Sequence, residues 1–272
     1  MSALGRFALK VARRLARPHR RVQRFLRDAA AFDGPVSVLE PGGGNVMVLA
    51  PHFDDEVLGC GGTLALHVAA GATITVVFLT DSRYVGANAE LPQRERQRLH
   101  DELLAVRKRE AMAAAAQLAL SKVLFLDGDP ERFGHSGELA QRLRKIMASI
   151  RPAIVYVPAF LDRHPDHRAS NAVLDNAVRG ESFEFECRAY EVWTPLIPNR
   201  LVSIDATMDL KLAALACHAS QLAHTDFTHM VRGLNAYRAA GIPDGASHYA
   251  EAFFAATLRE YLELYADFTD RA

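Results

Sequence analysis

The chain has 272 residues, of which half are hydrophobic and about a quarter are charged, and its 32 basic residues balance 32 acidic ones. This composition is ordinary for a soluble globular enzyme with a sizeable core. The charge is nevertheless uneven, because residues 1–30 contain nine Arg or Lys and one Asp, which leaves 23 basic and 31 acidic residues in the rest. The acidic body argues against nucleic-acid binding.

The cysteines and the hydropathy pattern bear on the compartment. Cys60, Cys187 and Cys217 are odd in number, far apart and without a CxxC pair, which argues against a disulfide framework and against a thiolate zinc site. No stretch reaches the roughly eighteen apolar residues that a spanning helix needs. The N-terminus also lacks the continuous apolar segment of a cleaved signal peptide. We therefore expect a cytoplasmic protein.

The first segment of the chain has the pattern of a basic amphipathic helix. Over residues 4–17, apolar side chains recur on one helical face and Arg or Lys fall on the opposite face, until Pro18 ends the segment. Such a helix can rest peripherally on anionic lipid headgroups at the inner face of a membrane. It can equally pack on the domain with a solvated basic face. We treat residues 1–30 as a separate segment and 31–272 as a single domain.

After a turn at residues 40–44, strand and helix patterns alternate along the chain. Buried strands are expected at 45–50, 73–79, 123–126 and 153–158. A glycine-rich turn at 59–62 is expected to lead into the first helix. Helices are expected at 60–70, 99–120, 137–150 and from 164 to about 178. This order predicts an α/β fold, with parallel strands joined by crossover helices.

Beyond residue 185 the predicted elements become shorter. Residues 189–193 and 201–204 have the pattern of short strands. Helices are expected near 208–222 and 227–239, and residues 249–257 fit either a strand or a helix. We predict a C-terminal α+β elaboration of the same domain rather than a second independent unit.

Two polar clusters follow buried strands and outline a split metal site. The first contains His52, Asp54, Asp55 and Glu56, and the second contains His164, Asp166 and His167. Open α/β sheets bind their ligands at the carboxyl ends of strands, which is where both clusters fall. Imidazole nitrogen and carboxylate oxygen together suit zinc, although another divalent ion can use the same ligands.

The spacing within these clusters suits hydrolysis at a metal ion. Zinc that hydrolyses substrates usually has three protein ligands and one position for water. His52 and Asp55 are three residues apart across a tight turn, so both can face one ion, and His167 can complete the triad. Asp54 must then point elsewhere and is available as a base. His164 can face the same cleft without binding the ion.

Several motifs occur in one order along the chain: Pro-His-Phe-Asp-Asp-Glu at 51–56, Gly-Cys-Gly-Gly at 59–62, Arg-Lys-Arg-Glu at 107–110 and Asp-Arg-His-Pro-Asp-His at 162–167. Together with residues 190–195 and 234–238, they resemble the LmbE/PIG-L-type zinc-dependent N-deacetylases. The resemblance spans roughly residues 45–260. Phe53 replaces the proline that is usual there, and Ala119 stands where a glycine often ends the helix. Neither position is an expected ligand.

The resemblance implies a Rossmann-like, mostly parallel sheet flanked by helices. It also implies an N-deacetylase that acts on an N-acetylglucosamine-type amino sugar, free or conjugated, in bacterial carbohydrate metabolism. By the resemblance, zinc is bound by His52, Asp55 and His167. Asp54 is then the general base, His164 is the partner of the oxyanion, oriented by Asp166, and Arg107 contributes to substrate binding.

Alternatives to this function remain open at the level of sequence. The same residues could hydrolyse a larger amide, such as a thiol conjugate, because the sequence hides the shape of the pocket. A non-catalytic sugar- or membrane-binding protein could use the same scaffold, although the complete triad and base count against it. Dinucleotide binding is disfavoured, because Leu64 occupies the third glycine position of the G-x-G-x-x-G pattern.

Overall fold

An eight-stranded sheet organises the part of the chain that the computed structural model describes, residues 34–81 and 90–269. Its strands are β1 (Ser37–Val38), β2 (Gly44–Ala50), β3 (Ala72–Thr80), β4 (Lys122–Gly128), β5 (Ile154–Pro158), β6 (Glu186–Tyr190), β7 (Arg200–Ser203) and β8 (Ala250–Thr257). The described α-helices are α1 (Asp55–Ala69), α2 (Gln93–Gln117), α3 (Gly137–Ile150), α4 (Pro165–Val178), α5 (Met208–Ala216), α6 (Ala219–Leu222), α7 (Phe227–Ala239) and α8 (Leu258–Phe268). The helix expected over residues 4–17 lies outside the described residues.

The order of the strands in the sheet is β1-β7-β8-β6-β5-β2-β3-β4. All neighbouring pairs are parallel except β6 with β8 and β7 with β8, which are antiparallel. The chain therefore runs from β2 outward to β3 and β4 on one side and then returns to β5 and β6 on the other. The order reverses between β2 and β5, which is the switch point where open α/β sheets form a crevice for ligands. The α/β, mostly parallel prediction is confirmed.

Helices cover both faces of the sheet and bury its central strands. Residues 46–50 of β2 are fully buried, as expected for a parallel strand covered on both sides. On one face, α1, α2, α5 and α7 pack against one apolar cluster that includes Val48, Val76 and Phe253. On the other face, α3, α4 and α8 pack against a second cluster that includes Leu49, Val77 and Phe254. The mixed part formed by β7 and β8 is the expected C-terminal elaboration.

The first helix begins earlier than its sequence predicts, and its glycines lie inside it. The expected glycine-rich turn is part of α1, which already begins at Asp55. A Cβ on Gly59 would lie 2.2 Å from Tyr190 Cδ2, and one on Gly62 would lie 2.8 Å from Ile204 Cβ. These glycines therefore allow close packing of the helix on its neighbours, and this packing outweighs their poor helix propensity.

Other boundaries also differ from the sequence-based expectations. Helix α2 begins at Gln93 rather than 99, because its charged first turns are exposed and carry pairs such as Arg98 with Glu102. Strand β6 ends at Tyr190, so it lies about three residues earlier than expected. The ambiguous segment at 249–257 is a strand, and α8 follows it without having been predicted. None of the described helices is long and apolar enough to cross a membrane.

Candidate metal centre

The two predicted clusters meet at the switch point of the sheet. His52 lies two residues after β2, and Asp54 and Asp55 are the N-cap and the first residue of α1. His164 is the N-cap of α4, so His167 lies in the first turn of that helix. The ring centroid of His52 lies 4.8 Å from that of His164 and 5.5 Å from that of His167. Residues more than a hundred positions apart thus form one cluster.

The Asp55 carboxylate connects the two halves of this cluster. Its Oδ2 accepts a hydrogen bond from the His52 backbone N–H at 2.8 Å and lies 3.1 Å from His52 Nδ1. Its Oδ1 lies 3.2 Å from His167 Nε2. Burial would raise the pKa of Asp55, but the positive charge of His167 and His52 holds it well below its usual range. Asp55 is therefore an ionised carboxylate between two imidazoles.

His167 is a buried imidazole without hydrogen-bond partners. The side chain has no exposed surface, and neither ring nitrogen makes a hydrogen bond within the described part of the chain. Its Nδ1 lies 3.5 Å from Asp162 Oδ1, which is too far for more than an ion-pair contact. Burial lowers its pKa, yet the Asp55 carboxylate raises it to about 9. A metal ion that binds one of these nitrogens must therefore displace its proton.

These residues fit a divalent metal ion. His52, His164 and His167 each offer a nitrogen, and these nitrogens lie within 4.8 Å of one another. Asp55 adds an oxygen beside His52 and His167. Unsatisfied buried polar atoms are costly, and a cation among these groups would give a His167 nitrogen a strong partner. Two sets of three ligands are possible. Both contain His52 and His167, and the third ligand is either Asp55 or His164.

Asp54 lies beside the cluster with a pKa suited to a base. Only 5% of the side chain is exposed, and its backbone carbonyl accepts hydrogen bonds from the N–H groups of Val57 and Leu58. Burial and the neighbouring Asp55 carboxylate raise the pKa of Asp54 to about 7, against the opposing charges of His52, Arg107 and His167. A carboxyl group with a pKa near neutral can accept and release a proton during turnover.

The position of Asp166 differs from its expected role. We expected its carboxylate to orient His164, but Asp166 Oδ2 lies 2.9 Å from His52 Nε2. The backbone N–H of Asp166 donates to His164 Nδ1 at 3.2 Å. Burial and the charges of His52 and His167 lower the pKa of His164, so its neutral ring carries the proton on Nε2. The backbone of Asp166, rather than its carboxylate, therefore sets the tautomer of His164.

Asp162 belongs to the same cluster, although the sequence assigned it no role. The residue is 1% exposed, and its Oδ1 accepts a hydrogen bond from the His164 backbone N–H at 2.8 Å. Its Oδ2 accepts from the backbone N–H groups of Trp193 and Thr194 at 3.0 and 3.1 Å. Asp162 thus ties the start of α4 to the loop after β6. Its place at the head of the second motif is the one sequence signal for it.

Arg107 comes from a different element, the middle of α2. It is 4% exposed, and its charge is among those that lower the pKa of Asp54. The structure thus brings a buried cation to the neighbourhood of the expected base. In the loop between β5 and α4, Arg163 lies over the ring of Trp193 with 5.3 Å between the guanidinium carbon and the ring centroid. An aromatic side chain and a cation therefore stand beside the second motif.

Known proteins resemble this chain in sequence and in fold. Residues 47–178 match the model of the PIG-L family, described as GlcNAc-PI de-N-acetylase. A diacetylchitobiose deacetylase from Thermococcus kodakarensis is 27% identical over 193 residues, which cover 65% of this chain and 69% of that protein.

Two solved structures are similar over most of their length. A conserved protein of Thermus thermophilus is 28% identical, with a TM-score of 0.62, over 76% of this chain and 92% of its own. The N,N'-diacetylchitobiose deacetylase of Pyrococcus horikoshii, complexed with its inhibitor MPG, is 25% identical, with a TM-score of 0.61. That match covers 78% of this chain and 83% of the other.

Proposed function

The chain belongs to the PIG-L family through the domain that contains residues 47–178, and from this premise we propose that it is a metal-dependent hydrolase. The bond that it cleaves is the N-acetyl amide of an N-acetylglucosamine-type sugar. The family description and the two diacetylchitobiose deacetylases support this substrate class, since their names give de-N-acetylation of such a sugar. They favour it over a larger amide and over a non-catalytic scaffold. The observation that carries the proposal is the buried imidazole of His167 at the switch point, which lies 3.2 Å from Asp55 Oδ1 and makes no hydrogen bond within the described residues.

We assign the metal to His52, Asp55 and His167, and zinc is the ion that this mixed nitrogen and oxygen set favours. Asp55 supports the assignment, because it contacts both imidazoles. Zinc, when bound, lowers the pKa of a water ligand and polarises a carbonyl oxygen. In this assignment His164 stays outside the ligand set and is free to contact the substrate.

Asp54 is the proposed general base. The carboxylate removes a proton from the water that attacks the acetyl carbonyl, and the resulting acid can then protonate the leaving amine. The raised pKa of Asp54 supports both halves of this task at neutral pH. Its position supports it as well, because Asp54 is the N-cap of α1 and the adjacent Asp55 is the carboxylate that contacts His52 and His167.

His164 is the proposed donor to the oxygen of the tetrahedral intermediate. The hydrogen bond from Asp166 N to His164 Nδ1 leaves the Nε2 proton for that oxygen. Asp166 contributes through this backbone contact and through its carboxylate beside His52. Arg107, near Asp54, is proposed to bind the sugar. Trp193, with the Arg163 guanidinium over its ring, is proposed to contact the sugar as well.

We propose further that residues 4–17 bring the enzyme to a membrane surface and that the sugar is lipid-linked. The support is the sequence pattern alone, a face of Arg and Lys opposite an apolar face. Co-sedimentation with liposomes of anionic lipid should be lost when residues 1–30 are deleted. Unchanged co-sedimentation would contradict this part of the proposal.

The deciding experiment measures acetate release by the zinc-loaded protein from two substrates. One is a water-soluble N-acetylglucosamine conjugate, and the other is the same sugar on a lipid. Asp54→Asn should retain zinc and lose most turnover, because the base is removed and the ligands remain. Asp209→Asn, the same change on an exposed turn of α5, is the matched control and should be fully active. Absence of release from both substrates, with zinc bound, would refute the deacetylase.

A further inference from the structure

A buried charged cluster lies against the middle of α1, outside the candidate metal centre. It consists of Lys211 on α5, Asn235 on α7 and Glu251 on β8, all at most 3% exposed. Lys211 Nζ donates to the Leu58 carbonyl at 2.9 Å, to Asn235 Oδ1 at 3.0 Å and to Glu251 Oε1 at 2.6 Å. All three ammonium protons therefore have acceptors.

Glu251 contacts the same helix as Lys211 does. Its Oε1 accepts a hydrogen bond from the Gly62 N–H at 2.9 Å, and its Oε2 accepts one from the Thr63 N–H at 2.8 Å. In a regular α-helix the N–H of residue 62 points to the carbonyl of residue 58. That carbonyl is the one that Lys211 contacts. The cation and the carboxylate thus hold the two ends of a single turn of α1 from outside the helix.

This turn is directly connected to the proposed base. The N–H of Leu58 donates to the backbone carbonyl of Asp54 at 2.9 Å. One residue, Leu58, therefore links the Lys211 ammonium to the backbone of Asp54. The sequence makes room for the approach, since a Cβ on Gly61 would lie 3.2 Å from Lys211 Cγ. Any displacement of Leu58 would move the first turn of α1, which carries Asp54 and Asp55.

Stability does not account for this arrangement by itself. The desolvation of two charges can exceed their mutual attraction, and well-packed apolar side chains often serve at least as well. What an apolar pair cannot supply is a set of hydrogen bonds that fix one position of the helix backbone. Here those bonds go to Leu58, Gly62 and Thr63, all on α1.

We propose that Lys211 and Glu251 are positioning residues that fix the first turn of α1, so that Asp55 and Asp54 face the metal and the attacking water in the productive orientation. The catalytic consequence of this inference rests on the proposed function. Misplacement of about 1 Å at a catalytic group can cost up to roughly 100-fold in rate. The loss should therefore appear in kcat rather than in KM.

The test uses the full-length Lys211→Met/Glu251→Gln variant, which removes both charges, keeps the length of the side chain at 251 and shortens that at 211 by one atom. Arg188→Met is the control for a lost buried cation, because Arg188 is 6% exposed and bonds Tyr156 and Glu186 rather than α1. We expect the double variant to lose at least about tenfold in kcat with KM within about twofold. The visible absorption bands of its Co²⁺-loaded form should shift relative to wild type, while the control matches wild type in both.

Wild-type kcat and an unshifted Co²⁺ spectrum in the double variant would overturn the inference. If the double variant does not fold, Glu251→Gln alone should show smaller changes in the same direction, and wild-type values there would overturn it equally. Hydrogen exchange at the Val57 and Leu58 amides provides a readout without metal or substrate. It should be at least about tenfold faster in the variants than in Arg188→Met, and equal rates would contradict the proposal. Failure of the wild type to release acetate would refute the proposed function and leave the spectral and exchange results decisive for the positioning role.

Discussion

Replacing Gly59 by alanine tests how closely α1 packs on the sheet. The added Cβ would lie 2.2 Å from Tyr190 Cδ2, whereas ordinary contacts begin at 3.4 Å, so one of the two groups must move by about 1.2 Å. The ring has no room for this movement. Tyr190 is fully buried, and its hydroxyl donates to the Leu49 carbonyl at 2.9 Å.

The expected loss of stability follows from two opposing effects. Overpacking of a core costs about 1–3 kcal/mol, and the rigid ring places this site near the upper end. Alanine is better than glycine inside a helix by about 1 kcal/mol, which offsets part of the cost. The free energy of unfolding should therefore fall by about 2 kcal/mol. For a domain of this size, that corresponds to a Tm lower by about 4–8 °C.

Urea and thermal unfolding of four variants give the answer. Gly233→Ala is the control, because a Cβ on this exposed glycine of α7 meets nothing within 4 Å, and it should stabilise by about 0.5–1 kcal/mol. In a Tyr190→Ala background the obstacle is absent, so Gly59→Ala should become stabilising by about 1 kcal/mol. The large cost of Tyr190→Ala itself cancels from this double-mutant cycle. Equal losses from Gly59→Ala in both backgrounds would refute the packing argument.

Four further substitutions have defined outcomes. His167→Ala should reduce bound zinc well below one ion per chain, and full zinc occupancy in this variant would contradict the ligand assignment. His164→Ala should retain zinc and lower kcat by about 100-fold or more. His218 is 1% exposed, and burial lowers its pKa to about 4. Between pH 6.5 and 4 the unfolded chain binds a proton at His218 that the folded chain does not bind. The free energy of unfolding should therefore fall by about 3 kcal/mol as the pH drops across this range. His218→Gln should remove this part of the pH dependence of urea unfolding. Thr257→Ala removes the capping box at the start of α8 and should cost about 1 kcal/mol in the same assay, while no change would show that the cap contributes nothing.

The parts of the fold that the sequence predicts are those with a local signal. Strands buried on both faces are short apolar runs, and crossover helices separate them, so β2, β3 and β5 are found within one or two residues. The two polar clusters can be predicted to meet for the same reason, because parallel strands end at one edge of the sheet. The helix from Gly137 to Ile150 is predicted with its bounds, since Ser136 caps it and its apolar face is regular.

The contacts that the sequence does not predict join residues distant in the chain. Glycine inside a helix is unfavourable unless a neighbour needs the space, and the neighbours of Gly59 and Gly62 are Tyr190 and Ile204, more than 130 positions away. The ion pair of Lys211 with Glu251 likewise depends on the position of β8 in the sheet, which no local sequence pattern gives. The role of Asp162 depends on the loop after β6, which no local pattern connects to the second motif.

The start of α1 explains why two neighbouring aspartates can have opposite properties. Asp54 is the N-cap of α1, with φ −136° and ψ −12°, whereas Asp55 is the first residue of the helix, so the two side chains leave the backbone in different settings. Asp55 contacts two imidazoles, and their charge keeps it ionised; the pKa of Asp54, which lies beside them, is raised to about 7 by burial and by Asp55 itself. The ionised ligand thus helps to prepare the base. Asp55→Asn should therefore lower the pKa of Asp54 as well as weaken metal binding, because it removes the charge that opposes ionisation. A pH profile of residual activity at saturating Co²⁺ would show this as an acidic limb moved to lower pH, and an unmoved limb would contradict the coupling.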